Sequence, residues 1–176
     1  MSILSTWLDF RMKSLLPLVK SYTKNSFSII TDLKHLQIPE HALIFSADAK
    51  LMYTNIDINI GINSIKRFLT ENSNALPTDF PKDLFLEVLT LVMENNIFSF
   101  CNTYWLQLTG TAMGTPVACS YATVAYGQHE NKNILTNLSP YLLYYRRYID
   151  NIFGIWLASV TENNNVWDQF ERELNN

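Results

Sequence analysis

Apolar positions recur at helical spacing through the first forty residues, in "WLDFRMKSLLPLV" and again in "FSIITDLKHLQI". Pro17 is expected to break or kink the first of these helices and Pro39 to end the second. The period then changes. "HALIFSAD", residues 41–48, is a short run of strand formers closing on a carboxylate, which predicts a central strand with Asp48 emerging at its end. "DINIGINSIKRFLTEN" predicts a helix beginning near Asp57. "LPTDFPKDLFLEVLTLVMENN" predicts a loop and another helix, with Pro81 near its first turn and Asp83 at the end that favours negative charge. "IFSFCNTYWLQLTG" predicts a hairpin turning at Asn102-Thr103. The small residues of "VACSYATVAYGQHENKNIL" suit a helix packed closely against a sheet, "YLLYYRRYIDNIFGIWL" predicts strand, tight turn and strand, and "TENNNVWDQFERELNN" begins a last helix.

Strands interspersed with helices in this order predict an α+β fold, with an antiparallel or mixed sheet and helices packed on one face. The chain of 176 residues, 48% hydrophobic and 16% charged, is long and apolar enough for one globular domain with a real core. No segment approaches the roughly 18 uninterrupted apolar residues of a membrane span. The N-terminal stretch carries Asp9, Arg11 and Lys13, which does not suit a signal peptide, so an intracellular protein with no membrane partner is expected. Cys101 and Cys119 are too few for a disulfide framework, and His35, His41 and His129 show no zinc spacing with them. A net charge of −3 argues against a free-standing nucleic-acid binder. The distribution softens this, because residues 1–36 carry +3 and the remainder −6.

Asp150 and Asn151 interrupt an aromatic and aliphatic stretch, where a buried carboxylate is unfavourable unless compensated. A two-residue hairpin loop explains the pair without any function. Asp48, at the end of another strand, opens a second reading. Two carboxylates brought together repel, and a divalent cation relieves that repulsion. Magnesium suits such a pair because it prefers hard oxygen ligands and keeps several waters. Two such ions roughly 3.5–4 Å apart are the arrangement of phosphoryl transfer. "GTAMGTP", residues 110–116, has the wrong spacing for a phosphate-binding P-loop and lacks its lysine.

"FSADAKLMYTNI", "LTGTAMGTPVACSYA" and "YIDNIF", in this order, closely resemble three successive palm motifs of reverse transcriptases, and most closely those of the Penelope-like retroelement group. "SYTKNSF" resembles that group's segment before the first palm strand. The resemblance implies a right-hand polymerase palm plus a helical part of the fingers: residues 1–40 as a helical finger and palm-connecting segment, and 41–176 as a palm domain truncated before the thumb. It further implies an RNA-directed DNA polymerase that adds deoxynucleotides to a primer on an RNA or DNA template. In that scheme Asp48 and Asp150 bind two magnesium ions, with the carbonyl of Ala49 as an extra ligand, and Asn151 stands beside them in the catalytic turn. Tyr53 would lie beneath the incoming sugar and exclude a 2′-hydroxyl, while Gly110, Met113 and Gly114 would belong to the loop that approaches the nucleotide. Fingers, thumb and a GIY-YIG endonuclease of a larger polyprotein would be the missing partners.

Three positions depart from the family pattern: Asn151 replaces the second aspartate of the turn, Cys119 a proline and Thr123 an asparagine. Asn151 keeps an oxygen ligand and removes a charge. The resemblance therefore leaves an alternative, a decayed or repurposed module that acts in nucleic-acid binding or structure only. An unrelated α+β enzyme using the same aspartates for metal-assisted hydrolysis is a third. Lys50, Arg146 and Arg147 flank the proposed site, either as phosphate contacts or as a solvated rim.

Overall fold

A computed structural model of the chain describes residues 3–157 and 164–174. Its helices are α1 (Ile3–Lys13), α2 (Ser26–Leu33), α3 (Met52–Asn55), α4 (Ile58–Glu71), α5 (Lys82–Glu94), α6 (Ala118–His129) and α7 (Asn164–Leu174). Its strands are β1 (Ala42–Asp48), β2 (Ile97–Phe100), β3 (Thr103–Leu106), β4 (Leu142–Tyr148) and β5 (Asn151–Leu157). The strands form antiparallel sheets, so the α+β class expected from the hydrophobic pattern holds. No helix of the described residues is long and apolar enough to cross a membrane.

Two compact units interleave along the chain, one of Met1–Val19 with Leu51–Gln128 and one of Lys20–Lys50 with His129–Asn176. In the first, α4 buries Ile58, Gly61, Ile65, Phe68 and Leu69, the stripe of an amphipathic helix. The Asp57 side chain caps this helix by accepting from the Ile60 N–H at 3.0 Å. Pro81 stands just before α5, and Pro17 falls inside a short 3-10 turn after α1. The β2–β3 hairpin turns one residue earlier than expected, at Cys101-Asn102 with φ of 48° and 61°. Both loop positions need positive φ, which asparagine tolerates and the β-branched Thr103 resists, so Thr103 begins the strand.

In the second unit the sheet order is β1-β5-β4. The central place expected for β1 belongs to β5, which hydrogen-bonds to both neighbours and buries Ile152, Ile155 and Trp156. β1 lies at the edge of this sheet, and Leu43 and Ile44 are exposed. An apolar run alone does not distinguish a buried strand from an edge strand covered on part of one face. One face packs on α7: the Phe45 ring meets Phe170 at 5.1 Å and Trp167 meets Trp156 at 5.1 Å, both edge-on. Gly154 makes room for this packing, since a Cβ there would come within 2.2 Å of the Phe45 ring. Asn25 caps α2 through Ser28 N–H at 3.0 Å, and α2 ends at Leu33, ahead of Pro39. After α6 the helix widens into a π-helical turn, Glu130–Leu135, and Glu130 is buried.

Three phenols are held away from water or beside acids. Burial, then Asp57, raises the Tyr121 hydroxyl, and burial, then Glu130, raises that of Tyr145. Burial and the hydrogen bond to Asp32 push Tyr144 up to about 12. A phenol whose folded value is raised adds stability that is fully present below pH 10, its ordinary value, and is lost as pH rises through the folded value. Alkaline titration followed by phenolate absorbance is therefore expected to show three of the nine tyrosines ionising above the ordinary phenol value. Reversible ionisation of all nine near pH 10 with unchanged circular dichroism would contradict this burial.

Candidate functional site

The hairpin that carries Asp150 closes with Tyr148 opposite Asn151, so its loop is Ile149-Asp150 and Asn151 is the first residue of β5. The loop reading of the Asp150-Asn151 pair is thus shifted by one residue. Across the sheet Asp48 lies opposite Asn151, and the Ala49 N–H donates to the Asp150 carbonyl at 2.9 Å. Asp48, Ala49, Asp150 and Asn151 therefore meet at one end of the sheet. Asp48 and Asn151 are exposed and Asp150 is half-buried, so water reaches this end of the sheet. The Asn151 amide donates to an Asp150 carboxylate oxygen at 3.0 Å. A groove of about 640 Å³ opens beside them, lined by Ser46, Asp48, Tyr148, Asn151 and residues at the start of α2.

These donors are hard oxygens. No cluster of three or more His, Cys, Asp or Glu able to hold a metal occurs among the described residues. Two carboxylates fall short of an all-protein cage, yet they fit magnesium, which commonly takes one or two carboxylates and fills its remaining positions with water and substrate phosphate.

Behind the loop lies a buried polar network that the sequence reading missed. Arg147, read there as a flanking phosphate contact or solvated rim, is 2% exposed and Glu130 is 3% exposed. Arg147 donates from Nε to Glu130 Oε1 at 2.7 Å and from Nη2 to Oε2 at 2.9 Å, a bidentate pair. Tyr145 donates its hydroxyl to Oε1 at 2.8 Å, and Ser21 donates to Oε2. The remaining Nη1 donates to the Ile149 carbonyl at 2.8 Å. Arg146 is tied down as well, through Lys20 O at 3.2 Å and an ion pair with Asp32 at 3.6 Å. The one signal for Glu130 was an acid following a helix of small and apolar residues, where an unpaired charge would be unfavourable.

The other predicted residues belong to the first unit. Gly110 has φ 75°, and a Cβ there would come within 2.8 Å of Thr54 Cα and Tyr53 O. Its N–H donates to Ile56 O at 3.1 Å, and Thr111 N–H donates to Tyr53 O. The loop after β3 is thereby fastened to the segment that carries Tyr53. The Tyr53 hydroxyl and Cys119 Sγ are 3.1 Å apart, and Thr123 donates to the Cys119 carbonyl at 2.8 Å. Two of the three departures from the family pattern thus make bonds within this unit. Met113 and Gly114 are exposed on the same loop, with open space around the Gly114 Cα.

No protein-family model and no curated protein matches the chain. Among solved structures, apo telomerase from Candida tropicalis truncated from its C-terminal domain superposes with a TM-score of 0.64 at 13% identity, over 97% of this chain and 36% of that one. Telomerase from Candida albicans, in complex with a TWJ fragment of telomeric RNA, gives 0.64 at 12% identity, over 96% of this chain and 32% of its own. The chain has a telomerase-like fold. It spans about a third of the length of these structures.

The fastening at Gly110 is testable. Gly110→Ala combines positive φ with a backbone clash, and strain of this kind costs about 1–3 kcal/mol. A lowered urea midpoint at unchanged slope is the expected result, and a midpoint equal to that of the parent chain would contradict it.

Proposed function

We propose that the chain is the palm, with part of the fingers, of an RNA-directed DNA polymerase of the Penelope-like group. It adds deoxynucleotides to a primer 3′ end on an RNA or DNA template. The observation that carries this reading is the register that sets Asp48 opposite Asn151 and bonds Ala49 to Asp150 at one sheet end. The order of the three motifs and the telomerase-like fold support it. In the reaction the primer 3′-oxygen bonds to the α-phosphorus as pyrophosphate leaves.

Asp48 and Asp150, with the Ala49 carbonyl, would hold two magnesium ions, which when bound stabilise the attacking and leaving oxygens. Asn151 offers an amide oxygen without charge, so the site holds its cations less tightly than one with a third carboxylate. Tyr53 would take the place beneath the sugar that selects deoxynucleotides, and Gly110, Met113 and Gly114 the loop beside the nucleotide. The net charge of −3 leaves affinity for the nucleic-acid backbone to basic segments of a longer protein, because phosphate neutralisation supplies most non-specific binding.

A second reading has one observation in its favour: at Asn151 the amide, not a second carboxylate, faces Asp150. It describes a repurposed module that binds nucleic acid or serves as structure without catalysis.

Manganese titration of the chain separates the two. Under the polymerase reading Asp48→Ala and Asp150→Ala each weaken manganese binding by about tenfold or more, while Asn151→Asp strengthens it by a similar factor, each tenfold step being about 1.4 kcal/mol. Asn151→Asp is also expected to raise magnesium-dependent extension of a primed template. Manganese affinity that none of the three substitutions alters would reject the cation site and leave the non-catalytic module.

A further inference from the structure

We propose that Arg147 and Glu130 are positioning residues that aim the carboxylate of Asp150. The proposal deepens the preceding reading, since it takes Asp150 to be a ligand for a divalent cation. Ile149, the first residue of the loop, has φ 55°, a conformation that is a genuine outlier for a β-branched side chain. A residue in such a region persists only where its surroundings hold it, and the strain it stores is of order 1–3 kcal/mol. At Ile149 the direct hold is the Arg147 Nη1 bond to its carbonyl at 2.8 Å, with the Ala49 N–H bond to the Asp150 carbonyl holding the next residue. That carbonyl belongs to the peptide plane joining Ile149 to Asp150, so fixing it fixes the direction in which the Asp150 backbone leaves the strand.

The guanidinium cannot swing away, because its other two bonding nitrogens are bound to the Glu130 carboxylate. Glu130 in turn receives Tyr145 and Ser21, and its side chain has no exposed freedom. The backbone of Arg147 is pinned as well: its N–H donates to Ser21 O at 2.6 Å and its carbonyl accepts from Thr23 N–H at 3.1 Å. The planar fork of arginine is what permits one side chain to serve the carboxylate and the loop carbonyl together. The single ammonium of lysine would have to choose between them.

The test uses the whole chain and two readouts: manganese affinity, and the amide resonances of Ile149, Asp150 and Asn151. Groups that orient a metal ligand change affinity by about 10–100-fold when removed. Arg147→Lys and Glu130→Gln are expected to lower manganese affinity by at least about tenfold, to shift those three amides, and to add little when combined with Asp150→Ala. A folded Arg147→Lys chain with parental affinity and unmoved amides would overturn the proposal. If the parental chain itself binds no manganese, the cation reading fails, and the amides alone decide whether the pair sets the loop. If Arg147→Lys does not fold, Tyr145→Phe removes one bond to Glu130 and keeps the ring. Movement of the Ile149 and Asp150 amides is then expected, and their immobility would overturn the proposal.

Discussion

The bidentate bond between Arg147 and Glu130 holds the second unit to one geometry, because neither charge has water to fall back on. A buried ion pair is a weak source of net stability, since desolvation offsets most of the attraction. Breaking one is different: leaving a single charge unpaired costs about 3–5 kcal/mol, against a total stability of about 5–15 kcal/mol for a typical domain. The pair ties the strand that leads into the Asp150 loop, the π-helical turn carrying Glu130, and the segment from Ser21 to Thr23 into a single arrangement.

That constraint joins packing to chemistry. The aromatic cluster of Tyr145, Trp156 and Phe170 fixes one face of the sheet, and the polar network lies beside it through Tyr145, whose ring belongs to the cluster and whose hydroxyl binds Glu130. Asp48 enters from the opposite strand by register alone, at the last residue of β1. In the other unit Gly110 does a comparable task for Tyr53, using the absence of a side chain where the second unit uses a salt bridge. A fold alone does not fix a function, which rests on the particular residues it carries.

Much of this was legible along the chain. Helical periodicity and the caps at Asp57 and Pro81 located α4 and α5, and the alternation around Tyr144 to Leu157 located the second hairpin. Errors fell where local pattern competes with long-range pairing. Strand order depends on partners more than a hundred residues away, so the apolar run of β1 read as central. The turn positions slipped by one because sequence identifies a turn more readily than its φ values, here positive at Cys101, Asn102 and Ile149. Asp48 and Asp150 drew attention because a carboxylate bordering an apolar strand is conspicuous, and the register brings the two positions to one end of the sheet. Glu130 was not, since its partner lies 17 residues away and its burial follows from the widened helical turn.

The most direct measurement is a crystal structure of the chain soaked with manganese, read by anomalous scattering. A peak in contact with carboxylate oxygens of both Asp48 and Asp150 is expected, with the Ile149 carbonyl still bonded to Arg147. Density that shows the two carboxylates on opposite faces of the sheet, with no peak between them, would contradict it.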